Sequence, residues 1–497
     1  MPNSITRGSW ILFCAGLLAA SQVPAQVVPE PAWSGPLPVT DSSHPLNAAA
    51  YNQLPMDLAE LGYVEEEFLV SGSAQVYDWA ADGSLSVLTT GQPYTTRILV
   101  RRPADPAQFS GTAIVETFNN ARDYDWAFIW PLSFEHFVEQ GHAWIGVTHT
   151  AAALESLRRF DPPRYAAVGF APARPGPACE PTPAALLGEE GLRYDLMSQV
   201  AALLKSTAGP LGASPARFVY GTTHTREFMT YANTIHKTAR LADGTTPYDG
   251  FVIKTEYAPV DRIRTCVAAP AEGDSRRIVR NAGVPVMRVT AEGDALETLG
   301  VRREDSDAAG DAYRLWEVAG APHMDRIFYQ HMPVLADQVA TGQPGYIANW
   351  PMAYACTPDI DLLDFLVMRY TMNAAFAAMR GWVERGVPAP RAPWLQLAET
   401  AGADPVFATD AYGNALGGVR SVYLDVPIAR YQVHSPGTAV CNNLGRREPF
   451  AWSMLETLYG TADAYAERVE AALESLVTSG WLTTEDSLRL RRELLGD

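Results

Sequence analysis

Three side-chain types that together let a hydroxyl attack a carbonyl stand far apart in the chain. They are Thr223 in "VYGTTHTREF" (219–228), Asp294 in "TAEGDA" (290–295) and His323 in "AGAPHMD" (319–325). An alcohol is a poor nucleophile near neutral pH. A histidine must take its proton as the new bond forms and return one to the leaving group, while a carboxylate holds the imidazole in the required tautomer. His323 is the candidate base, Thr223 the candidate nucleophile, and Asp294 the candidate orienting acid, with Glu292 as its rival. The oxyanion formed on attack needs two donors. One is expected from the backbone N–H of His224, the other from "ETFNNARDYD" (116–125), with Asn119 the first choice and Asn120 the alternative.

Such chemistry needs elements that bring the three stretches together. "ARFVYG" (216–221) reads as a strand and "EFMTYANTIHKTAR" (227–240) as a helix, so Thr223 falls on the turn between them. This is the frame of a nucleophile elbow, GxSxG, with Gly221 at the first small position and Thr225 at the second. "VPVMRVT" (284–290) and "YRLWEV" (313–318) read as strands that end just before Asp294 and His323. The expected chain order is nucleophile, acid, histidine, and all three lie at carboxyl ends of strands, the edge where open sheets collect ligands. Further runs, "YVEEEFLVSG" (63–72), "YTTRILVRRP" (94–103), "GTAIVET" (111–117), "HAWIGVT" (142–148) and "YDGFVIK" (248–254), alternate with helical stretches. The pattern predicts a mostly parallel sheet with helices on both faces.

Each candidate also has a plainer reading. Thr223 is a residue type that caps helices, Asp294 one that makes turns, and His323 can be an ordinary loop histidine. The His224 side chain can point into the cleft and donate to substrate. His149 stands just past a strand, as a pocket or a structural residue, and Arg420 in "GNALGGVR" is an anion contact or a surface arginine. No histidines take the spacing of a metal site, and neither a metal nor another cofactor is expected.

At 497 residues, 47% apolar and 19% charged, the chain can bury a large core. A net charge of −18 argues against a nucleic acid or an anionic membrane as partner and favours a neutral or cationic small-molecule substrate. Residues 1–25 read as a signal peptide: Arg7, then the apolar "SWILFCAGLLAA" (9–20), then "VPA". The apolar run is too short to span a bilayer, which takes roughly 20 residues. A secreted or periplasmic location follows as the expectation. It makes disulfides plausible among Cys179, Cys266, Cys356 and Cys441, with the pairing open. The remainder divides into a core, 26–330, and a helical C-terminal extension, 331–497, expected to cover the sheet edge. Within it "LDFLVMRYTMNAAFAAMRGWVERG" (363–386) reads as one long helix and 462–495 as two, the second capped by Thr483 or Thr484. The oligomeric state is not readable from the sequence.

Beyond these patterns, the chain resembles a family of secreted bacterial α/β-hydrolase domain proteins whose elbow reads GxSQS. "GTAIVETFN", "GHAWIGVT", "YDLMSQVA" and "RLWEVAGAPHMD" are similar to family segments, the last to RLWEVAGTxHAD, which places the family's histidine on His323. "VPVMRVTAEGD" is similar to VPVxxxxxETD, supporting Asp294 and keeping Glu292 open, and "GNALGGVR" and "LDVPIARY" match C-terminal motifs. The likeness runs from about residue 60 to the C-terminus and implies an α/β-hydrolase fold. It implies hydrolysis of carboxylic esters or related acyl bonds through an acyl-enzyme. The departure is the elbow, where Thr223, His224 and Thr225 replace Ser, Gln and Ser. The threonine methyl narrows the rotamers that can aim the oxygen. Two rival functions stand beside the hydrolase: a silent ligand-binding pseudoenzyme, and an acyl transferase or lyase using the same histidine.

Overall fold

The apolar runs become the strands of one sheet. A computed structural model describes residues 26–80, 83–173, 186–254, 260–343, 367–399, 404–437 and 441–496. The expected signal segment 1–25, Cys179 and Cys356 lie outside the described residues. Two long strands, β1 (Tyr63–Trp79) and β2 (Leu85–Pro103), form an antiparallel hairpin. They are followed by β3 (Thr112–Thr117), β4 (Ala143–Val147), β5 (Phe218–Thr223), β6 (Gly250–Lys254), β7 (Val286–Ala291) and β8 (Tyr313–Val318). Their order across the sheet is β1-β2-β4-β3-β5-β6-β7-β8, with the short strand Ala32–Ser34 added at the β1 edge.

From β4 to β8 every neighbouring pair is parallel, and β2 runs antiparallel to β4. Strands covered on both faces need no polar side, so β3, β4, β6, β7 and β8 are buried at every residue. β1 instead mixes buried and half-buried positions along its length. Strand order reverses around β3, the topological switch that opens a crevice at the carboxyl edge.

The helices of the core are α1 (Ile129–Glu139), α2 (Ala151–Phe160), α3 (Leu192–Lys205) and α4 (Glu227–Asn233). The long helix expected near the C-terminus is α5 (Val367–Arg385), stopped by Gly386 at φ 67°. It packs against α1 and against β6, where a Cβ added at Gly250 would lie 2.5 Å from the sulfur of Met379. This helix, which the sequence assigns to the extension, therefore fills a place on the sheet face. The remaining helices are α6 (Trp452–Tyr459), α7 (Ala462–Thr478) and α8 (Thr484–Leu495). Thr483 caps α8, its hydroxyl accepting the Asp486 N–H at 3.1 Å. Fully buried Trp130, Trp144 and Trp316 anchor the core; each such ring contributes roughly 2–3 kcal/mol.

The C-terminal region closes over the carboxyl edge. Val419 bridges to Val318 at the end of β8, Met324 bridges to Leu444, and a Cβ at Gly445 would meet Pro322 at 2.9 Å. Cys266 and Cys441 are each disulfide-bonded.

Candidate active site

The acid and the base arise where β7 and β8 end. After β7 the chain makes one helical turn, Glu292–Ala295, and after β8 it runs through Pro322 to His323. The His323 Nδ1 and Asp294 Oδ1 atoms are hydrogen-bonded at 2.7 Å, with the histidine 8% and the aspartate 5% exposed. Gly293 permits the approach, since its Cβ would come within 3.1 Å of the His323 backbone nitrogen. Glu292 lies two residues away on the same turn, about 200° around it. Its Oε2 accepts the Gly320 N–H at 2.6 Å, and burial pushes its carboxyl up to about 7. The two rival carboxylates thus face different partners.

The sequence reading missed Lys254, the last residue of β6. Its ammonium is fully buried, 3.6 Å from Asp294 Oδ2, and donates to the His323 carbonyl at 3.2 Å. One cation therefore braces both members of the pair. The signal available was a lone lysine ending an apolar strand, "GFVIK".

Phe128 was missed as well. Glu116 in β3 accepts the backbone N–H groups of Phe128, Ile129 and Trp130 at 2.6, 2.8 and 3.0 Å, fixing the start of α1. The Phe128 ring so placed stacks on His224, centroids 3.1 Å apart and 8° between planes, and lies 5.2 Å from the Lys254 ammonium. His224 is buried, and its ring centre lies 5.2 Å from that of His323. Two imidazoles therefore meet at the carboxyl edge between β5 and β8.

Thr223 differs from the expected elbow. The strained turn requires a positive φ, and among described non-glycine residues positive φ occurs at Asn47, Asp123 and Asn281, not at Thr223. Thr223 is instead the last residue of β5, paired with Thr117 and Ile253 and fully buried. Bulky β-branched residues avoid the left-handed region, which is a physical reason for the strand to run straight on. The Thr223 hydroxyl accepts from the Thr117 hydroxyl at 2.8 Å and from the Thr225 N–H at 3.0 Å, and shares a 2.9 Å bond with the Thr225 hydroxyl. Gly221 meets the requirement for a small residue: a Cβ there would lie 2.7 Å from Phe251 and 2.8 Å from Phe228.

The hydroxyl chain continues. Thr225 donates to Glu227 Oε2, and Glu227 Oε1 lies 3.4 Å from His149 Nε2 and 4.0 Å from Arg193. Burial alone would raise the Glu227 carboxyl, but His149, Arg193 and Thr225 hold it well below the usual range. Of the two readings of His149, this contact favours the structural one. A cavity of about 460 Å³ opens beside it, lined among others by Asn120, Thr225, Glu227 and Arg226.

The backbone donor expected at Asn119 is engaged, because its N–H bonds the Trp126 carbonyl at 3.0 Å and its Oδ1 accepts the Ala121 N–H at 2.9 Å. An oxyanion contact from Asn119 would have to come from its side-chain amide. At Asn120 the carbonyl accepts from Asp123 at 2.8 Å. Arg420 is spent on Asp425 at 2.7 Å and on the Ala415 and Leu424 carbonyls, which makes it a structural brace rather than a substrate contact. Among the described residues no group of three or more His, Cys, Asp or Glu is arranged to hold a metal ion. None of the described helices is long and apolar enough to cross a membrane.

A family model described as "Alpha/beta hydrolase domain" matches residues 33–492. Among solved structures, the glucuronoyl esterase from Solibacter usitatus is 10% identical, with 60% of this chain and 83% of that one covered and a TM-score of 0.30. A CE15 glucuronoyl esterase from Teredinibacter turnerae T7901 is 10% identical, covering 59% of this chain and 76% of that one at a TM-score of 0.27. No curated protein sequence matches the chain.

Proposed function

We propose, for a chain that belongs to the alpha/beta hydrolase domain family, slow hydrolysis of a carboxylic ester or related acyl bond with His323 as base, Asp294 as its orienting acid and Thr223 as nucleophile. The observation that carries the reading is the 2.7 Å bond between His323 and Asp294 at the carboxyl edge, braced by Lys254. His323 Nε2 takes the Thr223 proton as the oxygen attacks the carbonyl. The tetrahedral adduct collapses as the same nitrogen protonates the departing alkoxide, leaving an acyl-threonine. Water, deprotonated by His323, then attacks the acyl group, and the acid leaves as Thr223 recovers its proton. The His224 backbone N–H and the Asn119 side chain are the proposed oxyanion donors.

Attack requires the Thr223 hydroxyl to turn from Thr117 and Thr225 toward His323, and each hydrogen bond given up costs roughly 0.5–1.5 kcal/mol. Slow turnover follows. The buried, extended Thr223 also favours a second reading, a pocket that binds acyl compounds without cleaving them. Chromogenic short-chain esters separate the two. Turnover lost in His323→Ala supports the hydrolase, whereas wild-type protein that binds ester but releases no alcohol establishes the binding role.

The substrate is proposed to be a neutral or cationic small molecule, and the mature chain to act outside the cytoplasm after removal of residues 1–25. N-terminal sequencing of the exported protein tests this. A start near Gln26 supports it; an intact Met1 in the cytoplasmic fraction refutes it.

A further inference from the structure

Away from the His323 site, the far end of the β1–β2 hairpin meets the segments 233–238 and 275–280, and a cavity of about 460 Å³ lies between them. Trp79, Leu85 and Ile278 supply an apolar wall, and Lys237, Arg276 and Arg280 supply cations. No aspartate or glutamate stands among its described lining residues. That runs against the composition, in which 56 acidic residues outnumber 38 basic ones.

The three cations differ in how far they are neutralised. Arg276 pairs with Asp274 at 2.5 Å and covers the Trp79 ring at 4.8 Å. Arg280, 55% exposed on its side chain, reaches Asp311 only at 3.9 Å. Lys237 has no ion pair among the described residues; its ammonium donates to Asn233 Oδ1 at 2.9 Å. That bond uses one of three protons. Burial brings the amine down to about 8, with Asp311 opposing. At the same wall, the Trp79 indole N–H is buried without an acceptor among the described residues. The cavity therefore offers an under-neutralised ammonium beside an aromatic and aliphatic wall.

We propose that this cavity is a second ligand site, taking a carboxylate-bearing compound whose aromatic or acyl body lies against Trp79, Leu85 and Ile278 while its carboxylate pairs with Lys237. A single negative charge matches Lys237, the lining cation without an ion pair among the described residues. The apolar wall selects against small hydrated anions, which would lose their water and gain nothing from it.

The test uses the full mature chain with benzoate as probe, benzyl alcohol as neutral counterpart and sulfate as small anion. Affinity is read by calorimetry, and occupancy by the rate at which formaldehyde and borohydride methylate Lys237, followed by peptide mass mapping. Benzoate is expected to bind, to slow methylation of Lys237 in the wild-type chain and to bind at least about tenfold more weakly to Lys237→Met, the loss of one charge-assisted hydrogen bond. Binding should be flat from about pH 5 to 7 and fall as pH rises through about 8, as the amine loses its proton with Asp311, Arg276 and Arg280 as its charged neighbours. The protection experiment needs no variant, so a misfolded Lys237→Met leaves the proposal exposed to refutation. Unprotected Lys237, equal affinity for benzyl alcohol, equal binding by sulfate, or unchanged affinity in a folded Lys237→Met overturns it.

Discussion

Replacing Thr223 by serine removes one methyl group and keeps the hydroxyl. Thr223 is fully buried, so the lost methyl costs about 1 kcal/mol of stability. The kinetic effect should run the other way. The methyl restricts χ1, and the hydroxyl must leave Thr117 and Thr225 to reach His323. A reacting atom misplaced by about 1 Å loses on the order of 100-fold in rate, or about 2.7 kcal/mol of barrier. If the methyl causes most of that misplacement, Thr223→Ser gains about 10- to 100-fold in kcat. The two hydroxyl bonds remain in the serine variant, so adding Thr225→Ala should give up to a further tenfold, about one hydrogen bond of 1.4 kcal/mol. The assay is initial rate and pre-steady-state burst with p-nitrophenyl butyrate, joined to fluorophosphonate labelling mapped to the 219–228 peptide. His323→Ala supplies the background. The reasoning is refuted if Thr223→Ser leaves both rate and labelling unchanged while Thr223→Ala turns over like the wild-type chain.

The remaining predictions concern the acids, the brace and the cysteines. Asp294→Asn should lower kcat by as much as about 10⁴-fold through loss of tautomer control, while Glu292→Gln, which keeps an acceptor for Gly320, should stay within a few-fold; the opposite ranking would make Glu292 the acid. Glu292 is pushed up to about 7 in the folded chain, so between about pH 4.5 and 7 the folded state holds a proton that the unfolded state has lost. Its contribution to stability is full below that window and is lost as pH rises through it. Glu292→Gln should flatten that part of a melting-temperature profile, and an unchanged slope would count against the buried carboxyl. Lys254→Met removes the cation beside Asp294 and should cost roughly 3–5 kcal/mol in urea unfolding, whereas a loss under 1 kcal/mol would mean that the ammonium is not the brace the geometry indicates. Reducing the unfolded chain should release at least two additional thiols, those of Cys266 and Cys441; equal thiol counts before and after reduction would contradict the bonded state.

The alternation of apolar strands with helical stretches was enough to read the sheet, because a strand buried on both faces needs a short, mostly apolar run whatever it packs against. The same local logic put Asp294 after β7 and His323 after β8, since each follows its strand within a few residues. Local pattern could not separate Glu292 from Asp294. That choice rests on which side of a single helical turn faces Gly320 and which faces His323. Nor could it show that Thr223 bonds to Thr117, a residue 106 positions away that becomes its neighbour only through the register of β3 with β5. Lys254 beneath the acid, Phe128 stacked on His224, and Glu227 set against His149 are likewise products of register and packing. The sequence by itself determined which residue types end which strands. Distances through space, and with them whether the Thr223 hydroxyl meets His323 or Thr225, were decided only by the tertiary structure, because hydrogen bonds depend on separations of tenths of an ångström that spacing along a chain does not encode.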